Sequence, residues 1–166
     1  MGMADTCRED TPDNWSDDRR ETAYQEARSV LDAQNTTMQD IDDKAMRTVR
    51  VIVLLISLLV AGLQYRPELF DPLVLAVSTA LLVGAVLAGI ATYDESNLYV
   101  GPRGEYIEDL AASEFEDAPW EQDLLETFAG MIAENYDNIQ RNARYLRATN
   151  GLLALGIIVA GVAIVI

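Results

Sequence analysis

Hydrophobic and polar positions along this chain follow one pattern twice: a charged stretch with helical period passes without a break into an apolar run. From Glu21 onward, Tyr24, Leu31, Met38 and Ala45 recur every seven residues, with Ala27, Gln34, Ile41 and Thr48 between them. Side chains at that spacing share one face of a helix, so the pattern predicts an amphipathic helix over 21–45. Its seam is thin, because Gln34 and Thr48 are polar and two other positions are alanine. Such a seam suits packing against another helix of the chain or against its copy in a neighbouring subunit. The apolar part that follows, Val51 to Leu63, has 13 residues, about 20 Å of helix, whereas a hydrocarbon layer is ~30 Å deep. A run of that length usually marks a buried core helix. Extended over 46–65, with Arg47 and Arg50 snorkelling to the headgroups and Tyr65 in the opposite interface, it becomes a first transmembrane helix.

The second run needs no extension. Leu73 to Tyr93 is 21 residues without a charge, so a second transmembrane helix is expected over 72–93, and the short connection before it forces an antiparallel hairpin. Residues 94–144 are acidic and polar, with Gly101, Pro102 and Gly104 marking a turn and a short amphipathic helix expected from Tyr106 to Phe115. From about residue 120 the helical period returns: Leu125, Ile132, Ile139 and Leu146 stand seven apart, and Leu124, Phe128, Met131 and Tyr136 widen the stripe. That helix feeds a third uncharged run, Leu152 to Ile166, which becomes a third transmembrane helix over 145–166 with Arg147 snorkelling as Arg50 does. Residues 1–20 are acidic and nearly free of aliphatic side chains, so a disordered tail is expected there.

The expected fold class is therefore all-α, an integral membrane protein with three transmembrane helices and a cytoplasmic helical stalk made by the two amphipathic segments. Basic residues orient it. Eleven of the 12 lie before the apolar run of the first span or between the apolar runs of the second and third, and only Arg66 lies in the hairpin loop, beside Glu68 and Asp71. By the positive-inside rule the N-terminus is inside and the C-terminus outside, in a cell membrane with the bulk of the soluble part cytoplasmic.

Charge and composition narrow the chemistry. The net charge is −15, with 27 acids and a single lysine, Lys44. A surface rich in acids and poor in lysine stays hydrated in concentrated salt, which points to a halophilic archaeon. No basic face is available to release counterions from phosphates, so no nucleic-acid partner is expected. Histidine is absent and Cys7 is the lone cysteine, which closes off triads, histidine relays, zinc hydrolases and thiolate clusters. No cofactor, metal or catalytic residue is expected, and no enzyme. No apolar segment stands behind a basic start, so no signal peptide is expected either.

The apolar runs carry no charge, and their polar side chains include Ser57, Gln64, Ser78 and Thr79, a poor basis for a proton or ion relay. Ser57 and Ala61, then Ala80, Gly84 and Ala88, then Gly156 and Ala160 lie four apart, the small-residue spacing that lets helices approach closely. Three helices cannot enclose a water-filled pore, so any channel would need a homo-oligomer built along those stripes. Lys44, Arg47 and Arg50 with Arg141, Arg144 and Arg147 form a candidate basic collar for anionic lipid heads, worth about 1 kcal/mol each before screening. Asn135 and Asn142 share a face with Phe128, where they are expected either at the surface or, as buried amides, fixing register or partner number. The carboxylates from Glu105 to Asp117 match no cation-binding loop.

The segment Ile41-Asp42-Asp43-Lys44-Ala45 before a membrane hairpin, an acidic region after it, and a helix from Asn138 to Leu146 entering a last span together resemble a haloarchaeal family of multi-pass membrane proteins. More distantly they resemble the SLATT and Pycsar types of membrane effector in nucleotide-signalling defence. Those effectors carry an Asp-x-Lys-Ala element at the start of the first span, matched here by Asp42, Lys44 and Ala45. The resemblance implies a non-enzymatic, oligomeric effector that damages the membrane when a second messenger is sensed. Because this chain has no separate ligand-binding domain, a cytoplasmic protein partner would have to supply the sensing. The alternative expectation is a passive membrane scaffold or accessory subunit recruiting such a partner.

Overall fold

The computed structural model describes residues 12–94, 97–112 and 120–165. Among them every regular element is helical: α1 (Pro12–Tyr65), a 3-10 turn (Pro67–Leu69), α2 (Pro72–Asp94), α3 (Gly104–Ala111) and α4 (Trp120–Val165). Between Pro12 and Gly62 α1 contains no proline or glycine, so nothing interrupts its backbone ladder over 54 residues until Pro67 stops it. The helix starts earlier than expected. Residues 12–20, assigned above to a disordered tail, are helical, because Pro12 suits the first helical turn and the acids that follow favour the positive end of the helix dipole. Residues 1–11 lie outside the described part. So do 113–119, which leaves the expected 106–115 helix observed only as α3.

Contacts divide the chain into two compact units. In the first, α1 up to Ala33 packs with residues 99–133 around Leu31, Phe128 and Met131, joined by Tyr24, Ala27, Tyr99, Leu124 and Ile132. The Tyr24 and Phe128 rings meet edge to face at 5.5 Å, and Arg20 reaches Glu121 at 3.9 Å. Numbers rise together on both helices, so α1 and α4 run parallel within this unit. The α3 helix docks onto α4 through the Tyr106 hydroxyl, which donates to the Asp123 carboxylate at 2.7 Å. Burial, and then that hydrogen bond, raise the Tyr106 pKa above its usual value.

The second unit holds the rest of α1 and α4 together with α2. Here too α1 and α4 are parallel, with Met38 against Asn142 and Thr48 beside Asn150. The α2 helix runs antiparallel to both: Ser78 meets Gly156, and the Asp71 amide donates to the Ala163 carbonyl at 3.1 Å. The Asp71 carboxylate caps α2, accepting from the amides of Leu73 and Val74, with Pro72 in the first turn. The core is Ile52, Leu82 and Ala85, flanked by Ile56, Leu59, Val86, Leu152 and Leu153.

Burial follows a 3.5-residue repeat through water-loving and apolar sequence alike. On α1 the line is Leu31, Met38, Ala45 and Ile52; on α4 it is Phe128, Asn135, Asn142, Thr149, Gly156 and Ala163; on α2, Leu75, Ser78, Leu82, Ala85, Gly89 and Thr92 alternate steps of three and four. The buried residues thus fall on one line along each helix. The richer apolar frame expected on α4, Leu125, Ile132, Ile139 and Leu146, is only partly buried and flanks this line.

Three helices are long and apolar enough to cross a membrane. Their outward faces present Leu54 at 69% exposure, Leu58 at 68%, Leu73 at 74%, Leu87 at 63% and Ile158 at 63%. So large a contiguous apolar surface is unfavourable in water and fits a lipid surround.

Candidate functional site: the three-helix junction and its charged border

The part of the molecule with the most specific geometry is the junction where α2 lies against α1 and α4 in the second unit. Two glycines create it. A Cβ on Gly89 would stand 2.5 Å from Val49 Cγ2 and 3.5 Å from Thr149 Cγ2; one on Gly156 would stand 2.7 Å from Leu82 Cδ2. These backbones therefore approach as closely as they do because the side chain is missing. Across the second approach the Ser78 hydroxyl, fully buried, donates to the Gly156 carbonyl at 2.9 Å. Other hydroxyls in the apolar segments turn back on their own helix: Ser57 donates to the Val53 carbonyl, Thr79 to Leu75 and Thr92 to Ala88. Those bonds satisfy polar groups locally rather than lining a path.

Of the small residues singled out by spacing, Gly156 is buried at the junction, Gly84 meets Leu152, and Ala61, Ala88 and Ala160 are half-buried. Ser57 and Ala80 face outward. Gly89, Thr92 and Thr149, which were not among the residues singled out, are part of the buried seam. A signal for them existed in the steps of three and four along α2 and in the continuation of the Phe128 frame. For Asp71 the Asp-Pro pair before an apolar run was the cue.

Further along the parallel pair, Asn142 is fully buried and its amide donates to the Met38 sulfur at 3.2 Å, while its carbonyl oxygen is buried with no hydrogen-bond partner. Asn135, one heptad earlier, is also fully buried. The polar positions on the α4 seam are thus interior, and each must be matched by the opposing helix.

All six bases of the expected collar, Lys44, Arg47, Arg50, Arg141, Arg144 and Arg147, are exposed. They do not lie at one level. Since Gly89 touches both Val49 and Thr149, Arg50 sits beyond that level and Arg147 before it, so the bases climb the helices as a staircase. Arg47 reaches Asp43 at 3.9 Å with both side chains largely in solvent, a weak interaction. In the Asp42, Lys44, Ala45 element, Ala45 is buried in the seam, Asp42 is half-buried and Lys44 is exposed. The three therefore occupy different faces of α1.

In the first unit a separate open cleft of about 530 Å³ is lined by Asp18, Arg20, Glu21, Tyr24, Trp120 and Glu121 with Leu124 and Leu125. Among the described residues no three or more histidines, cysteines or carboxylates are grouped to hold a metal ion. Glu114, Glu116 and Asp117 lie outside the described residues.

Comparison with protein-family models, curated proteins and solved structures finds no match.

Proposed function

We propose that this chain is a non-enzymatic, three-span membrane protein, N-terminus inside and C-terminus outside, that couples an event at its cytoplasmic helix pair to the permeability of the membrane as a homo-oligomer. One observation carries the reading: within the second unit the buried seven-residue line of α4 runs from Asn135 and Asn142 in the charged part into Thr149, Gly156 and Ala163 in the apolar part, on one helix. A rotation or shift of residues 134–147 is therefore passed to the apolar part along the same buried line. The acid-rich, lysine-poor charge supports a halophilic archaeal setting, and the arginine distribution supports the orientation. The test is dye release from liposomes carrying purified protein, with and without cytosol from cells under phage challenge. Release that depends on the protein supports the effector reading.

One observation favours a second reading. The hydroxyls of Ser57, Thr79 and Thr92 each donate to a carbonyl of their own helix. A passive scaffold that recruits a cytoplasmic partner needs no polar track. Tight liposomes under every condition, together with co-purification of one cytosolic protein dependent on residues 18–45, would decide for it.

A further inference from the structure

The levels of the charges along the second unit fix how deep a lipid layer the bundle suits. Thr48 lies beside Asn150 across the parallel pair, so Arg50 is level with residue 152 on α4 and Arg147 lies five residues short of it. Arg47 on α1 lies three residues short, which makes Arg50 the deepest of the six bases by three residues, about 4.5 Å. At the opposite border the Arg66 amide still bonds the Gly62 carbonyl, Arg66 pairs with Glu68 at 3.8 Å with both side chains largely exposed, and Asp71 is held at the level of Ala163. From Arg50 to Arg66 is 16 residues, about 24 Å of helix, against ~30 Å for an ordinary hydrocarbon layer. The α2 helix carries no base, so Arg50 alone marks the inner edge; the last turn of α2, Ile90 to Tyr93, lies beyond Gly89, with Tyr93 59% exposed as an interfacial aromatic would be.

We propose that the exposed apolar belt of this protein is matched to a hydrocarbon layer thinner than an ordinary bilayer, and that Arg50 sets the inner edge of that belt. The inference rests on the membrane-spanning reading above and adds its lipid partner: a thin bilayer, or an ordinary one locally thinned around the bundle. In thicker lipid Arg50 must either enter hydrocarbon or bend its whole side chain back along α1, and the cost of mismatch grows with each ångström. A protein that thins its surround also weakens it, which is the physical state a permeabilising oligomer would exploit.

The experiment reconstitutes the full chain into phosphatidylcholine vesicles with monounsaturated chains from about 14 to about 22 carbons. The fraction that resists alkaline extraction after flotation is measured, and helix content is checked by circular dichroism. Wild type is expected to insert best in the shortest chains and to lose several-fold in the longest. Arg50→Leu, which moves the nearest α1 base back to Arg47, is expected to shift the optimum to longer chains. Arg141→Leu, at least nine residues shallower, should leave the profile where it was. A flat wild-type profile, an optimum in the longest chains, or an Arg50→Leu profile identical to wild type would overturn the inference while leaving the spans intact. Complete extraction from every lipid would instead remove the membrane reading beneath it. If Arg50→Leu does not fold, the wild-type profile alone decides.

Discussion

Asn142 is the residue whose environment is least satisfied. Its carbonyl oxygen is buried without a partner and its amide has only the Met38 sulfur, a weak acceptor. Leucine at that position would fill the Met38 layer without the unmet polar group, so Asn142→Leu is expected to raise the thermal unfolding midpoint in detergent, by about 1 kcal/mol of stability. The same change should loosen register, since a buried asparagine in a seam specifies alignment at the expense of stability. Crosslinking between cysteines placed on α1 and α4 then reports more than one pairing. At the junction the sign reverses. Gly89→Ala puts a methyl against the stiff Val49 side chain, and the expected loss is about 1–3 kcal/mol, read from the same melt. Residues of this kind were only partly legible. Asn142 was visible on the Phe128 face and Gly89 in the small-residue steps along α2, but the close approach at Gly89 was not, because it depends on the opposing Val49 and Thr149, which are distant in sequence.

Among the elements, α3 is held to α4 through Tyr106. Tyr106 donates to Asp123 only while protonated, and its raised pKa means the protonated form is favoured in the folded state. The contribution is therefore fully present below the ordinary tyrosine value of about 10 and is lost as pH rises through the higher folded value. Tyr106→Phe removes the contact at every pH, is expected to cost about 1 kcal/mol, and should abolish that alkaline loss; hydrogen exchange of the α3 amides between pH 9 and 11 follows both. The long helices were the most legible elements. The α1 seam of Leu31, Met38 and Ala45 and the apolar run after it are explicit in the spacing, and nothing in the stretch breaks a helix. On α4 the frame with more leucine and isoleucine proved the flank. The buried line instead uses asparagine, threonine, glycine and alanine, because helices that approach closely favour small or specifically matched side chains over large ones. The early start of α1 at Pro12 was hidden by a composition that reads as disordered yet suits a helix N-terminus.

For the whole molecule, three apolar helices and two charged helical segments were legible from where charge stops and starts. The proposed direction of threading rests on the same charges, and the proposed coupling to permeability depends on it. The lone native cysteine makes the threading measurable in intact cells. A membrane-impermeant maleimide is applied before and after lysis to the wild-type chain, which carries Cys7, and to a Glu68→Cys variant in a Cys7→Ser background. The expected result is labelling at position 68 without lysis and at Cys7 only after it. Labelling of Cys7 in intact cells with position 68 protected, or of both alike, would contradict a hairpin facing outward and a helix pair facing the cytoplasm.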